Sequence, residues 1–406
     1  MGAIPLALAN WTPEAALIEH WENDVRPGFN YHESKVPEYE LPEVLKTFEG
    51  DPIDSPQAWM EHREDLLQVF REQVYGIRAG EPEWMDFRLL DEDPYAMGGV
   101  ATLKRILIIT SLYQRDFRFE LTLLVPNERE GPVPLFLLMN NRSPNHTAPT
   151  RARVERFDFW PVEAVIDRGY GIAAIQNAQL APDNEETYRE GVMRLLDYSG
   201  DQPRAGNAWG ALAAWGWGAS RAMDYFETDP DIDAERIAVI GHSRGGKAAL
   251  WAGAEDTRFS LVISNNSGCG GASISRRKYG ETIADMNRRF PHWFAPNFHA
   301  YSGEGIKDLP VDQHQLIALI APRAVYVGSA DEDLWADPRG EFMALAHASP
   351  VYELFGGKRI EPSTMPASDD YLHTSHQGYH LRPGDHNLTG YDWDRYMDFA
   401  DKLFRD

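Results

Sequence analysis

Ser243 sits in Gly241-His242-Ser243-Arg244-Gly245, between the apolar run RIAVIG (236–241) and the small-residue stretch KAALWAGA (247–254). A serine hydroxyl becomes a useful nucleophile when a base takes its proton and a sharp turn presents it. Gly-x-Ser-x-Gly between a strand and a helix is the nucleophile-elbow pattern, its glycines removing Cβ atoms that would clash with neighbouring backbone. Such a serine stands at the carboxyl end of its strand and at the positive end of the following helix, which favours developing negative charge. In this chain order an acid should follow a later strand, and a histidine should lie near the C-terminus. RAVYVGS (323–329) is followed by Asp331-Glu332-Asp333, and YHLRPGDHNLT (379–389) carries His380 and His386. Together these fit acyl transfer through a covalent ester intermediate. Asp385 is adjacent to His386, where neighbouring side chains seldom face each other.

The elements that must position these groups are legible from periodicity. LKRILIIT (103–110) and FRFELTLLVP (117–126) read as an antiparallel pair, and VPLFLLMN (133–140) as a buried strand. GIAAIQ (171–176), RIAVIG, SLVISNN (260–266) and RAVYVGS follow as short buried runs. Helical stretches separate them, notably 208–226, with others at 57–75 and 391–404. Alternation of this kind predicts an α/β fold with a mostly parallel sheet sandwiched by helices in three layers. Residues 1–55 predict an extended arm packed on the core, and 56–406 a single catalytic domain with loop insertions.

Composition narrows the function classes. The net charge of −24 and the pI near 4.9, with no long Lys/Arg run, speak against a nucleic-acid partner. No stretch reaches the ~20 apolar residues that cross a bilayer. The opening MGAIPLALANWTPEAA has no basic n-region, and Gly2 lacks the Ser or Thr that myristoylation uses, so the start reads as cytoplasmic or as a mature terminus. Cys269 is the one cysteine, which excludes an intramolecular disulfide and a cysteine-built zinc site and reads as a small buried residue. His373, His376 and His380 have a superficial metal-ligand spacing but read as a structural loop. His292 and His314 read as structural or cleft-lining.

Several longer motifs carry a family resemblance: GHSRGGK (241–247), SGCGGASISRR (267–277), GET (280–282), FPHWF (290–294), LPVDQHQLIALIAPR (309–323), EDLWADPRGE (332–341) and RPGDHNLTGYDW (382–393). PNHT (144–147) and WPVEAVIDRGYGIA (160–173) fit as well. The chain resembles the glucuronoyl esterases of carbohydrate esterase family 15, more closely their bacterial branch. That resemblance implies an α/β-hydrolase fold and metal-independent hydrolysis, without a cofactor. The implied substrate is the ester between 4-O-methyl-glucuronic acid on xylan and lignin alcohols. It assigns Ser243 as nucleophile, His386 as general base and Arg244 as the arginine that helps hold the oxyanion. Lys247, Glu281 and Trp335 match sugar-contacting positions.

One departure stands out. Many relatives place the catalytic acid just before Ser-Gly-x-Gly-Gly, where this chain has Asn265-Asn266, with Asn266 at the acid's own position. The resemblance then favours Asp333 as the acid, two residues before the tryptophan, ahead of Asp331 and Glu332. Two other readings remain alongside: an acetyl-xylan or other carbohydrate acyl esterase, and, more remotely, a non-catalytic carbohydrate-binding relative. The implied substrate predicts a secreted or periplasmic protein, and a monomer is expected.

Overall fold

The computed structural model describes residues 11–112, 114–147, 158–195 and 204–405; the opening MGAIPLALAN, with Gly2, lies outside them. Among the described residues, ten strands form one sheet. They are β1 (Trp84–Tyr95), β2 (Ala101–Leu112), β3 (Arg115–Pro126), β4 (Val133–Asn140), β5 (Gly171–Gln176), β6 (Ile232–His242), β7 (Leu261–Asn265), β8 (Ala324–Ala330), β9 (Asp370–His373) and β10 (Gln377–Arg382). Their spatial order is β1-β2-β3-β5-β4-β6-β7-β8-β10-β9. The six strands from β5 to β10 run parallel. β1, β2 and β3 extend the sheet antiparallel on one side, and β9 closes the other.

Two apolar layers cover this sheet, and strand geometry sorts residues between them. Every residue of β4 is buried. Leu135, Leu137 and Met139 enter one layer and Phe136 and Leu138 the other, as the two-residue period of a strand requires. The first layer is completed by helices Pro56–Phe70, Ala211–Phe226, Arg244–Glu255 and Pro338–Leu354. The second is completed by Val162–Asp167 and Gly390–Phe404. The result is the three-layer α/β architecture that the alternation of elements predicts, in the α/β-hydrolase form that the family resemblance implies. Local chemistry fixes the helix ends. Ser55 accepts a hydrogen bond from the Ala58 amide ahead of Pro56, and Thr389 with Asp392 forms a capping box before the last helix.

The structure corrects the reading at three places. Residues 373–380 are a hairpin rather than a loop: His373 ends β9, His376 lies in the turn and His380 lies on β10. β10 hides from periodicity because QGYHLR is wholly buried yet polar at three positions. Its polar groups are satisfied internally, for example Gln377 by Leu345 and Ser349. β1 is likewise unread: it is an exposed edge strand carrying Asp86, Asp91, Glu92 and Asp93. Finally, residues 11–55 are not simply extended. They make helical turns at Ala15–His20, Trp21–Val25 and Glu33–Lys35. Hydrogen bonds tie this arm to the core, among them those from Trp21 Nε1 to the Glu332 carbonyl, from the Gly280 amide to Asn30, from the Arg277 guanidinium to Glu33 and from His314 Nε2 to Pro42.

Candidate active site

The turn at Ser243 is as tight as its glycines suggest. Ser243 has φ 56° and ψ −126°, a conformation that L-residues avoid unless their surroundings impose it. A Cβ on Gly241 would lie 2.0 Å from the Gly245 carbonyl oxygen, and one on Gly245 would lie 2.9 Å from that of Met139. The Ser243 amide donates to Asn265 at 2.8 Å, and its carbonyl accepts from Gly246 and Lys247. The side chain is thereby held on the wall of a cavity of about 240 Å³, at the N-terminus of helix Arg244–Glu255. The first N–H groups of that helix lack intrahelical partners and point positive charge at the same place.

His386 lines the same cavity from the loop after β10. Its Nδ1 lies 2.6 Å from Asp333 Oδ2. Asp333 is buried, and the same oxygen accepts from Asn266 Nδ2 at 3.0 Å. Burial alone would raise the Asp333 carboxyl, but the charge and hydrogen bond of His386, with the Asn266 amide, hold it below its ordinary range. Burial alone would lower His386, but Asp333, together with the charges of Glu281 and Glu341, outweighs it, so the imidazole sits above its ordinary value. The other two acids go elsewhere. Asp331 accepts the Gly384 amide at 2.9 Å and the Ser368 hydroxyl, while exposed Glu332 offers its carbonyl to Trp21.

A second buried network holds the histidine loop from behind. Arg382 donates to the carbonyls of Pro383, Asp385 and Asn387, which bracket His386. Its Nε donates to Asp392 at 2.9 Å, and Asp392 also receives His380 Nε2 and Asn265 Nδ2. His380 is therefore a core residue, away from the cavity wall. His242 packs its ring 4.6 Å from that of His386, and burial keeps it well below its ordinary value and so neutral.

Arg244 reaches into the cavity but is not free. Its guanidinium pairs with Asp183 and lies over the rings of Trp293 and Phe290, at 4.9 and 5.1 Å from their centroids. Asp183 also accepts from His292 Nε2 at 2.9 Å and Trp293 Nε1 at 2.7 Å. Burial would raise that carboxyl, yet these donors and Arg244 bring it down to about 2. Lys247 is buried with all three ammonium hydrogens committed, to Ser267 and Cys269 carbonyls and to Glu281 at 2.9 Å. Cys269 itself is buried, and its thiol is pushed up to about 12. Glu281 and Trp335 line the cavity with Lys247. Trp335 carries the Arg26 guanidinium 4.3 Å from its ring centroid and Phe29 edge-on at 4.8 Å.

The cavity thus gathers Ser243, His386, Asp333, Arg244, Lys247, Glu281 and Trp335. Sequence reasoning did not find Asp183, Arg382, Asp392 or the arm residues Trp21, Val25 and Arg26. Of these, only the Asp392 capping box left a local signal, Thr-x-x-Asp ahead of an apolar-periodic stretch. Among the described residues no group of three or more His, Cys, Asp and Glu is arranged to hold a metal ion, and no helix is long and apolar enough to cross a membrane.

Comparison with known proteins gives the family. A family profile described as "Glucuronyl esterase, fungi" matches residues 109–356. Carbohydrate esterase MZ0003, from an unknown prokaryotic organism, is 40% identical over 96% of this chain and 94% of its own. A solved glucuronoyl esterase from Solibacter usitatus superposes with TM-score 0.85 at 39% identity, covering 91% of this chain and 100% of that one. A promiscuous CE15 esterase from the marine bacterial metagenome superposes with TM-score 0.82 at 39% identity, covering 93% and 100%. With the profile spanning more than half of the chain and these relatives nearly all of it, the chain belongs to the glucuronoyl esterases of carbohydrate esterase family 15 and is a carboxylic ester hydrolase.

Proposed function

We propose that the protein hydrolyses esters of glucuronic acid, including 4-O-methyl-glucuronate on glucuronoxylan joined to lignin alcohols. Ser243, His386 and Asp333 act as nucleophile, base and acid. The observation that carries this reading is the 2.6 Å contact between His386 and buried Asp333 on the wall of the cavity that Ser243 enters from its strained turn. With Nδ1–H given to Asp333, the His386 imidazole keeps Nε2 free to take the serine proton. Ser243 Oγ attacks the C6 carbonyl, forming a C–O bond as the carbonyl electrons move onto oxygen. Arg244 and the amides opening the helix receive that oxyanion. Collapse expels the alcohol, protonated by His386, and water then releases glucuronate from the enzyme by the same steps.

Glu281 and Trp335 are read as sugar contacts. Lys247 fixes Glu281, and it meets a sugar hydroxyl only by giving up one of its three protein acceptors. A polymeric cell-wall substrate also favours a secreted or periplasmic location, which cell fractionation would check. The test of function is turnover of methyl and benzyl glucuronate in parallel with acetylated xylose. Glucuronate esters should be preferred, and Ser243→Ala should abolish the reaction. Preference for the acetylated sugar would move the chain to the acyl esterases, and activity surviving in Ser243→Ala would remove the mechanism.

A further inference from the structure

The cations on the cavity wall are almost all paired inside the protein. Arg244 is held by Asp183, Lys247 by Glu281 and Arg289 by Asp285 at 3.1 Å. Arg26 differs. Among the described residues its guanidinium has no carboxylate partner; its carbonyl accepts from Tyr31, and its charged group lies 4.3 Å over Trp335. Stacking uses the face of the guanidinium plane, whereas its N–H bonds lie in that plane and point outward from the edge. In a chain of net charge −24, an arginine on a substrate cavity with no carboxylate partner among the described residues has donors to spend on what enters.

The arm places this residue firmly. Trp21 Nε1 donates to the Glu332 carbonyl, one residue before Asp333, and the Gly280 amide donates to Asn30, one residue before Glu281. Tyr31 is buried edge-on against Tyr279. The turn Trp21–Val25 and Arg26 are thus fastened to the two loops that present Glu281, Asp333 and Trp335. Half-exposed Val25 sets the turn at the rim of the cavity.

We infer that Arg26 is a specificity-determining residue whose in-plane N–H groups bind paired oxygen acceptors of a uronate seated beside Trp335, which makes the N-terminal arm part of the substrate site. The inference rests on the glucuronate-ester reading above. The acceptors are the ring hydroxyl and ether oxygens of the ester or the carboxylate of the released acid, and both offer the same chemistry to the fork.

Steady-state kinetics on methyl glucuronate with wild type, Arg26→Ala and Arg26→Lys tests it, with free glucuronate as competing inhibitor and thermal unfolding as a check of the fold. Arg26→Ala should raise KM about tenfold with kcat within about twofold, the loss of one paired, charge-assisted contact. Arg26→Lys keeps the charge over Trp335 but lacks the fork, so it should recover only part of the loss. A change in KM assigns the acceptors to the ring oxygens, and a change confined to the inhibition constant of glucuronate assigns them to the product carboxylate. Unchanged KM and inhibition constant, a loss in kcat alone, or full recovery in Arg26→Lys would each overturn the assignment. Wild type that fails to turn over methyl glucuronate would instead overturn the parent reading, before any variant is compared.

Discussion

Asn266 donates its side-chain amide to Asp333 Oδ2 at 3.0 Å, the same oxygen that faces His386 at 2.6 Å. The residue that stands where many relatives carry an acid is therefore a hydrogen-bond donor to the carboxylate that reaches the histidine from the next strand. An amide suits this place because a carboxylate beside Asp333 would repel it in a buried setting. Asn266 also has φ 46°, which asparagine tolerates better than most residues. Asn266→Gly accommodates that backbone and removes the donor with the rest of the buried side chain. It should lower kcat/KM about tenfold, within the range of one hydrogen bond to a charged group, when assayed on methyl glucuronate.

Three consecutive acids make the assignment of Asp333 testable. Asp333→Ala should cost roughly 10³–10⁴ in kcat, since the imidazole loses both its orientation and its counter-charge. Asp331 instead pins the Gly384 amide in the loop that carries His386, so Asp331→Ala should act through loop position and cost about tenfold. Glu332 is exposed, and its backbone rather than its side chain makes the contact to Trp21, so Glu332→Ala should stay within about twofold. A ranking with Asp331 or Glu332 as the most damaging change would remove Asp333 from the triad.

Much of this is legible in the sequence, and the illegible part has a physical pattern. The elbow, the parallel strands and the order Ser, acid, His announce themselves because buried parallel strands are apolar runs and because the turn tolerates only glycine at Gly241 and Gly245. β10 was hidden because its buried Gln377, His380 and Arg382 find partners on other elements, a satisfaction that periodicity cannot register. Asp183 and Arg26 were hidden for a similar reason. Asp183 lies 61 positions from the arginine it holds, and Arg26 is brought to Trp335 by an arm with no sustained pattern of its own. Lys247 was visible as a residue, yet its commitment to three internal acceptors appears only in three dimensions.

Asp183 sets the reach of Arg244. Its carboxylate collects Arg244, His292 and Trp293, and the guanidinium is confined between that carboxylate and two aromatic rings. An oxyanion is stabilised best by a donor that need not reorganise as charge develops. Asp183→Asn preserves shape but removes the charge that anchors Arg244. It should reduce kcat by about 10–100-fold with a smaller change in KM, a loss smaller than or comparable to deleting an oxyanion donor. Arg244→Lys should fare no better, because a point charge does not fill the planar slot over Trp293. Equal losses in kcat and gains in KM for Asp183→Asn would point to substrate binding instead.

The coupled shifts of His386 and Asp333 fix the sign of the pH dependence. His386 must be neutral at Nε2 to act, and its value lies above 6.5 because Asp333, with Glu281 and Glu341, outweighs the opposing effect of burial. The acid limb of kcat/KM should therefore fall above pH 6.5, and Asp333→Asn, which removes the largest opposition to burial, should move it to lower pH along with the loss in rate. Stability follows the same groups with opposite windows. The raised His386 contributes stability that is fully present below its unfolded value and is lost as pH rises through its folded value. The lowered Asp333 contributes stability that is present above 3.8 and is lost as pH falls through its folded value. Both contributions are in place between these limits, so the difference in Tm between wild type and His386→Ala should be larger at pH 5.5 than at pH 8.5. Thermal unfolding at the two pH values measures it, and a larger difference at the alkaline value would contradict the assigned direction of the His386 shift.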